Sequence, residues 1–430
     1  MGCGWWEWRW APLLLALMLA KPVQGESLPF QLYVDPAGHL QVGMPNNATT
    51  RHVMVQERDV VQELKDLQWQ FQQLARRRAT NDRLARRLNG GWILTSLEQV
   101  GTQGAPTPRA QYRFGISADM DGATLAVGSL ADNDLGLEDG SITVYRRDPV
   151  TRQYNLHSTI EAPHFIPSLP SPVGVAVAVE GPRLAAGAWS HDFVTANEGA
   201  VYMFHLEEAT DEYMYEQTIM APVPQLGGRF GVDVDLHRNW LAVGAHSADE
   251  AGVASGAAYV FNGTTFFQKL TPANAQAGDQ FGIAVALTDD YLAVGAFGRD
   301  DHGNNSGIVY LFRTNATGHF EEHAQLYSPF PMVNEQFGIS LAFADNVLLV
   351  GAYSTAPKGA IKAGAVYTFF IDEMGLVHPG APLRGPGGGI ANDLFGSAVA
   401  ATPFASTVVV GAMDHTVQLR DDAGGIFFFE

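Results

Sequence analysis

The chain is almost without cysteine: there is one, Cys3, in 430 residues. A single thiol excludes an internal disulfide framework and any multi-cysteine zinc or iron–sulfur site. Basic residues are also scarce, 26 Lys and Arg against 45 Asp and Glu, for a formal net charge of -19. That balance excludes nucleic acid as the main partner, because phosphate binding needs a basic surface. Long apolar runs are missing too, apart from LLLALMLA at residues 13–20, and spanning a bilayer takes about 20 residues. Glycine, in contrast, is abundant at 46 residues, well above an ordinary usage of about 7%. An apolar content of 46% accompanies it and can build a substantial core.

The one apolar run lies between Arg9 and the compact stretch Lys21-Pro22-Val23-Gln24-Gly25. It has the length and flanks of a secretory signal peptide over residues 1–25, cleaved between Gly25 and Glu26. An uncleaved membrane anchor is the alternative reading of the same residues. Cleavage would remove Cys3 and leave a mature chain without cysteine. Four sequons, at Asn47, Asn262, Asn304 and Asn315, fit a eukaryotic secretory route and mark glycosylation candidates. The expectation is an exported, extracellular protein with no transmembrane segment in the mature chain.

Residues 26–50 hold two short β patterns around the turn Pro36-Ala37-Gly38. They resemble the small β element that precedes coiled coils in fibre and tail-spike proteins. Residues 51–89 read as a helical, coiled-coil-like stalk. No Gly or Pro occurs from Val53 to Leu88, and Val60, Leu64, Leu67, Phe71 and Leu74 recur at heptad steps. A homo-oligomer through residues 53–88 and a single amphipathic helix packed on its own domain both fit this pattern. Asn89-Gly90-Gly91 ends the segment with common helix-stop residues. Residues 51–88 carry nine Lys and Arg against five Asp and Glu, net +4, whereas residues 91–430 carry fifteen against thirty-seven, net -22.

From Phe114 onward one unit recurs six times. It opens at Phe114-Gly115, Val173-Gly174, Phe230-Gly231, Phe281-Gly282, Phe337-Gly338 and Phe395-Gly396, at steps of 59, 57, 51, 56 and 58 residues. A second landmark follows at Gly128-Ser129, Gly187-Ala188, Gly244-Ala245, Gly295-Ala296, Gly351-Ala352 and Gly411-Ala412. A third, G-x-V-Y-x-F in its fullest form, begins at Gly140, Gly199, Gly256, Gly307 and Gly364, with a looser copy at Gly424-Gly425. Each unit supplies three short strands of period-two alternation, and the segment after it supplies a fourth. Such four-stranded units hide both faces by stacking radially, so residues 91–430 are predicted to form an all-β, six-bladed propeller. A seventh, degenerate blade would need sequence that is not found. The sixth unit lacks its outer strand, and residues 91–97 have the character to supply it and close the ring.

These units resemble FG-GAP repeats, the blades of the integrin α-subunit propeller, and the resemblance covers about residues 91–430. It implies that the FG strand is innermost, the GA strand second and the V-Y-x-F strand third. It further implies that the loops after GA and before FG share a face, which in the family often binds ligands. On this chain the post-GA loops hold Asp132 and Asp134; His191 and Asp192; His246 and Asp249; Asp300, Asp301 and His302; and Asp414 and His415. These groups can present acceptors and imidazoles to a ligand, or they can serve as caps of polar turns. The family's calcium loop, D-x-[DN]-x-D-G-x-x-D, is not matched, since the first-to-second-strand connections at Asp119–Gly122, Asp233–Asp235, Asp289–Asp290 and Asp345–Asn346 are short. No metal site and no cofactor is expected.

No G-x-S-x-G, H-E-x-x-H, P-loop or dinucleotide fingerprint occurs. The expected function is recognition or adhesion: binding of an extracellular protein or glycan through the loop face, without enzymatic activity. The alternative is an extracellular polysaccharide hydrolase or lyase using rim carboxylates. An enzyme would concentrate its acids on one or two blades, and here they are spread around the ring.

Overall fold

The structure is a computed structural model. It describes strands at 31–34, 40–43, 51–53 and 99–103, and residues 114–429 except 130–139, 152, 162–172, 356–361, 386–391, 402–407 and 413–424. The chain divides into two units, Met1–Arg86 and Arg87–Glu430.

In the first unit, Gln31–Val34 and Leu40–Gly43 pair antiparallel, as the β patterns around Pro36-Ala37-Gly38 predict. Arg51–Val53 adds a third strand beside Leu40–Gly43. The segment expected to be helical therefore opens on strand, and its remainder at residues 54–89 lies outside the described residues.

The second unit is a ring of six four-stranded antiparallel sheets. Blade 3 shows the pattern: Val234–His237, Trp240–Ala245, Ala257–Asn262 and Thr265–Leu270 lie in chain order from the inside out. The predicted outer strands appear at Tyr154–Ile160, Glu212–Ile219 and Phe320–Leu326. In blades 1 to 4 the third-to-fourth strand register shifts at the same place, at Val144/Tyr145, Met203/Phe204, Val260/Phe261 and Leu311/Phe312. A bulge repeated in phase gives each outer strand the same extra twist.

Ring closure differs from the sequence expectation in its details. The outer strand of blade 6 is Gln99–Gln103, not residues 91–97, and it pairs antiparallel with Gly425–Phe429. Gln99–Gln103 has a polar sequence (QVGTQ), as outer strands elsewhere in the ring do (for example FEEHAQL). Apolarity was therefore the wrong guide to this position.

Period-two alternation gives every sheet two apolar faces, and each face meets a different neighbour. In blade 3, Leu241, Val243 and Ala245 pack with residues of blade 2, whereas Ala242 packs with blade 4. Among the described residues six such cores are found, one at each blade junction, and the core of Ala400, Val409 and Ile426 with Phe114, Leu125 and Tyr145 joins blade 6 to blade 1. The FG aromatics anchor these junctions. Phe281 is fully buried and lies edge-on to Tyr310 and Phe312, at centroid distances of 5.5 and 6.1 Å. Phe337 repeats the arrangement with Tyr367 and Phe369.

The inner strands carry a second set of links that motif reading misses. Each inner strand pairs on one side only, which leaves alternate backbone groups without a strand partner. Side chains of the preceding blade satisfy several of them. Asp119 and Asp121 accept from the N–H groups of Val179 and Gly181 at 2.6 and 2.7 Å. Asp233 and Asp235 accept from those of Val285 and Leu287. Ser117 and Ser340 donate to the Gly174 and Gly396 carbonyls. The short connections that depart from the calcium motif thus have aspartates that bond backbone across blades.

Candidate functional site

Strand polarity places the post-GA loop of each blade and the pre-FG loop of the next on one face. The backbone joins them there. Between blades 2 and 3, the N–H groups of Gly227, Arg229 and Phe230 donate to the carbonyls of Ala196, Asn197 and Glu198, at 2.9, 3.1 and 2.9 Å. Between blades 3 and 4, Gly278, Gln280 and Phe281 bond Val253, Ala254 and Ser255 in the same order. Between blades 4 and 5, Asn334, Gln336 and Phe337 bond Asn304, Asn305 and Ser306. The loop face is therefore a set of paired loops, each pair straddling a blade junction.

The aspartates read from the sequence are part of this framework. Asp192, Asp249 and Asp300 each accept a hydrogen bond from the backbone N–H five residues on, at Asn197, Ala254 and Asn305. Those three donors have φ of 50, 52 and 48°, so each carboxylate caps a turn in the left-handed region. Asp301 accepts from Arg299 Nε at 2.9 Å and from the Tyr327 hydroxyl at 3.1 Å. Asp132, Asp134, Asp414 and His415 lie outside the described residues.

The histidines divide in the same way. His191 is buried, and its Nδ1 meets the Tyr202 hydroxyl at 3.0 Å. Burial holds its pKa below the ordinary value. His246 is buried as well, with Nε2 3.5 Å from Arg229 Nη1 and Nδ1 without a partner. Burial, then the Arg229 charge, pushes its pKa down to about 4, so the ring is neutral. His302 is exposed and stands edge-on to Tyr327 at 4.6 Å. Among the described residues, no group of three His, Cys, Asp or Glu side chains is placed to hold a metal ion.

Of the sequons, Asn262 and Asn304 are exposed and Asn315 is half-buried, while Asn47 lies outside the described residues. Asn262 ends a third strand and Asn315 opens the next blade's third-to-fourth turn, both on the side away from the paired loops. Asn304 is on the loop face.

Sequence reasoning passed over a different group on that face: large apolar side chains left in water. Phe193 and Val194 follow the GA strand of blade 2, Val223 and Leu226 precede the FG pair of blade 3, and Val253 follows its GA strand. Their exposures run from 66 to 74%. Phe330 and Val333 repeat the theme before blade 5. Bulky residues inside loops rich in Pro and Gly (APVPQLGG) were the available signal. Glu198, 2% exposed, fixes the first loop by accepting from the N–H groups of Phe193, Val194 and Thr195. Phe193 and Val194 are thus held in the open by a buried carboxylate.

The fold is that of a six-bladed β-propeller with a loop face built from paired connections. The FG-GAP repeat family model matches residues 213–261 and 264–312, so the chain carries FG-GAP repeats. Each match runs from one blade's outer strand to the third strand of the next. No curated protein sequence matches the chain. Among solved structures, the chain is similar to the RRP9 WD40 repeats at 10% identity, over 78% of this chain and 100% of that one, with a TM-score of 0.45.

Proposed function

We propose that this is a secreted or cell-surface recognition protein, binding a protein or glycan through the loop face of its FG-GAP propeller. The observation that carries this reading is the row of exposed apolar side chains across the paired loops of blades 2 and 3. Apolar groups held out by buried scaffolding favour an external partner, because a loop gains nothing by exposing Phe193 or Leu226 to water. Of the described rim carboxylates that could serve hydrolysis, Asp192, Asp249 and Asp300 are engaged by backbone donors in three equivalent turns, and Asp301 by Arg299 and Tyr327. Equivalent turn caps suit a binding scaffold better than a catalytic pair, which needs two carboxyl groups in unlike environments. The apolar run at residues 13–20 and the sequons support an extracellular setting, and heptad spacing over 53–88 supports a multivalent form. Among the described residues no helix is long and apolar enough to cross a membrane.

The test pairs a binding assay with a turnover assay. Full-length protein applied to arrays of extracellular proteins and glycans is expected to bind saturably and to release no product from the glycans. Cleavage of any polysaccharide in the panel would establish the hydrolase or lyase reading instead.

A further inference from the structure

Arg229 occupies an unusual electrostatic position. Three other buried or half-buried arginines have carboxylate partners: Arg146 with Asp211 at 3.1 Å, Arg183 with Glu180 at 2.6 Å, and Arg299 with Asp279 and Asp301 at 2.9 Å. Arg229 is half-buried, yet no carboxylate among the described residues lies within ion-pair distance of it. Its guanidinium carbon sits 4.6 Å from the centroid of the Trp189 ring, and Nη1 makes one long contact, 3.5 Å, to His246 Nε2. A guanidinium offers five N–H donors in a fixed plane, so most are left for another acceptor.

His246 can accept only one of these donors, at Nε2. With Nε2 facing a donor, the ring proton belongs on Nδ1, which is buried and has no partner. The guanidinium therefore stacks on Trp189 beside a neutral imidazole, with no carboxylate within ion-pair distance among the described residues, in a chain whose net charge is -19. A chain with so many carboxylates leaves this cation open.

The surroundings narrow the ligand further. Trp189 shares a loop with Phe193 and Val194, exposed at 70 and 66%. Arg229 shares a loop with Val223 and Leu226, exposed at 70 and 74%. Backbone bonds from Gly227 to Ala196 and from Arg229 to Asn197 join these loops. A cation on an aromatic platform thus stands between two apolar shoulders. We infer that this junction of blades 2 and 3 is a docking site for a protein segment in which an Asp or Glu is flanked by bulky apolar residues. Arg229 takes the carboxylate through its free N–H edge, with Trp189 holding the guanidinium plane in place. Phe193 and Leu226 take the flanking side chains. A sugar carboxylate would bring hydroxyl groups that these two shoulders have no means to bond, so a protein segment fits better. The inference rests on the loop-face reading and specifies its partner.

The probe is a synthetic array of pentapeptides in which Asp or Glu is bracketed by Leu or Phe, each spotted beside its Asn or Gln counterpart. Labelled full-length protein is expected to favour the acidic member by about tenfold, the scale of one charge-assisted hydrogen-bonded contact. Arg229→Gln should abolish that preference at unchanged melting temperature, and Arg229→Lys should retain a part of it. Equal binding to both members, a preference that survives Arg229→Gln, or no binding to either overturns the inference. So does binding confined to sialylated or uronate glycans. Leu226→Ser separates the two readings: if it weakens all peptides alike and no acid preference exists, the loop face stands and the carboxylate site falls.

Discussion

Replacing Gly244 with alanine is expected to lower the melting temperature by roughly 4 °C, from a cost of about 3 kcal/mol. Gly244 sits in the second strand of blade 3, paired with Ala258, in a conformation that any residue can adopt. Backbone freedom is not what it supplies. A β-carbon there would overlap the carbonyl oxygen of Gly282, which opens blade 4. Gly282 cannot retreat, because its φ of 89° and its packing against the Ala257 carbonyl fix it. The same contact recurs around the ring, from Gly187 to Gly231, Gly295 to Gly338, and Gly411 back to Gly115. Gly318 is the control: its φ is 83° but nothing lies within 4 Å of its added β-carbon. Gly318→Ala should cost only the left-handed strain, about 1–2 kcal/mol. Thermal melts of the two variants compare steric closure with backbone strain directly, and an equal effect would remove the closure argument.

The second large effect concerns pH. Burial pushes the Asp233 carboxyl up to about 7, with the nearby Asp119 charge adding to it. Asp119 rises to about 6, also through burial, with Asp121 and Glu180 adding charge. Asp235 is raised by burial and by Asp119 and Asp233. In the unfolded chain these groups titrate near 4. The native state therefore holds more protons than the unfolded state from about pH 4 to 7, and stability falls as pH rises through that window. His246 acts oppositely: its native value of about 4 lies below the ordinary 6.5, so it withdraws stability as pH falls below 6.5. His191, also held below its ordinary value by burial, acts in the same direction as His246. Between pH 8 and 7, where an unfolded histidine is still mostly neutral, the carboxylates dominate and the melting temperature should rise on acidification. Asp233→Asn keeps an oxygen to accept the Val285 N–H and removes the buried charge. It should stabilise the protein at pH 8, by up to ~4 kcal/mol, and flatten the pH profile. A profile unchanged by this substitution would show that Asp233 does not titrate there.

These two effects also show what the sequence could and could not reveal. The repeat was legible because its three landmarks are backbone necessities: a φ of 84 to 92° at glycines of the FG pairs, no room for a β-carbon at GA, and ring stacking at V-Y-x-F. Such constraints leave a recognisable set of letters in every blade, with Val173 and Ser129 as single departures at the first two landmarks. The Asp119 and Asp233 links stayed hidden because each joins residues more than 50 positions apart, and only some blades carry the aspartate. The loop candidates were half legible. Asp192, Asp249 and Asp300 were found in phase, but phase marked a shared turn cap. Trp189 and Leu226 repeat in no other blade, and Arg229 has a counterpart before the FG pair only in Arg113, so a search by repetition passed them over.

The account turns on which surface meets the ligand, and paired substitutions on opposite faces measure that most directly. Val150, exposed in the third-to-fourth turn of blade 1, and Leu376, beside that turn in blade 5, lie on the side away from the paired loops. Binding isotherms to one array-selected ligand would compare the full-length protein with Phe193→Ser/Leu226→Ser and with Val150→Ser/Leu376→Ser. The loop-face pair should lose at least tenfold in affinity, about 1.4 kcal/mol, while the opposite pair binds as the unsubstituted protein does. Loss confined to the Val150→Ser/Leu376→Ser protein, with the loop-face pair unaffected, would contradict the account.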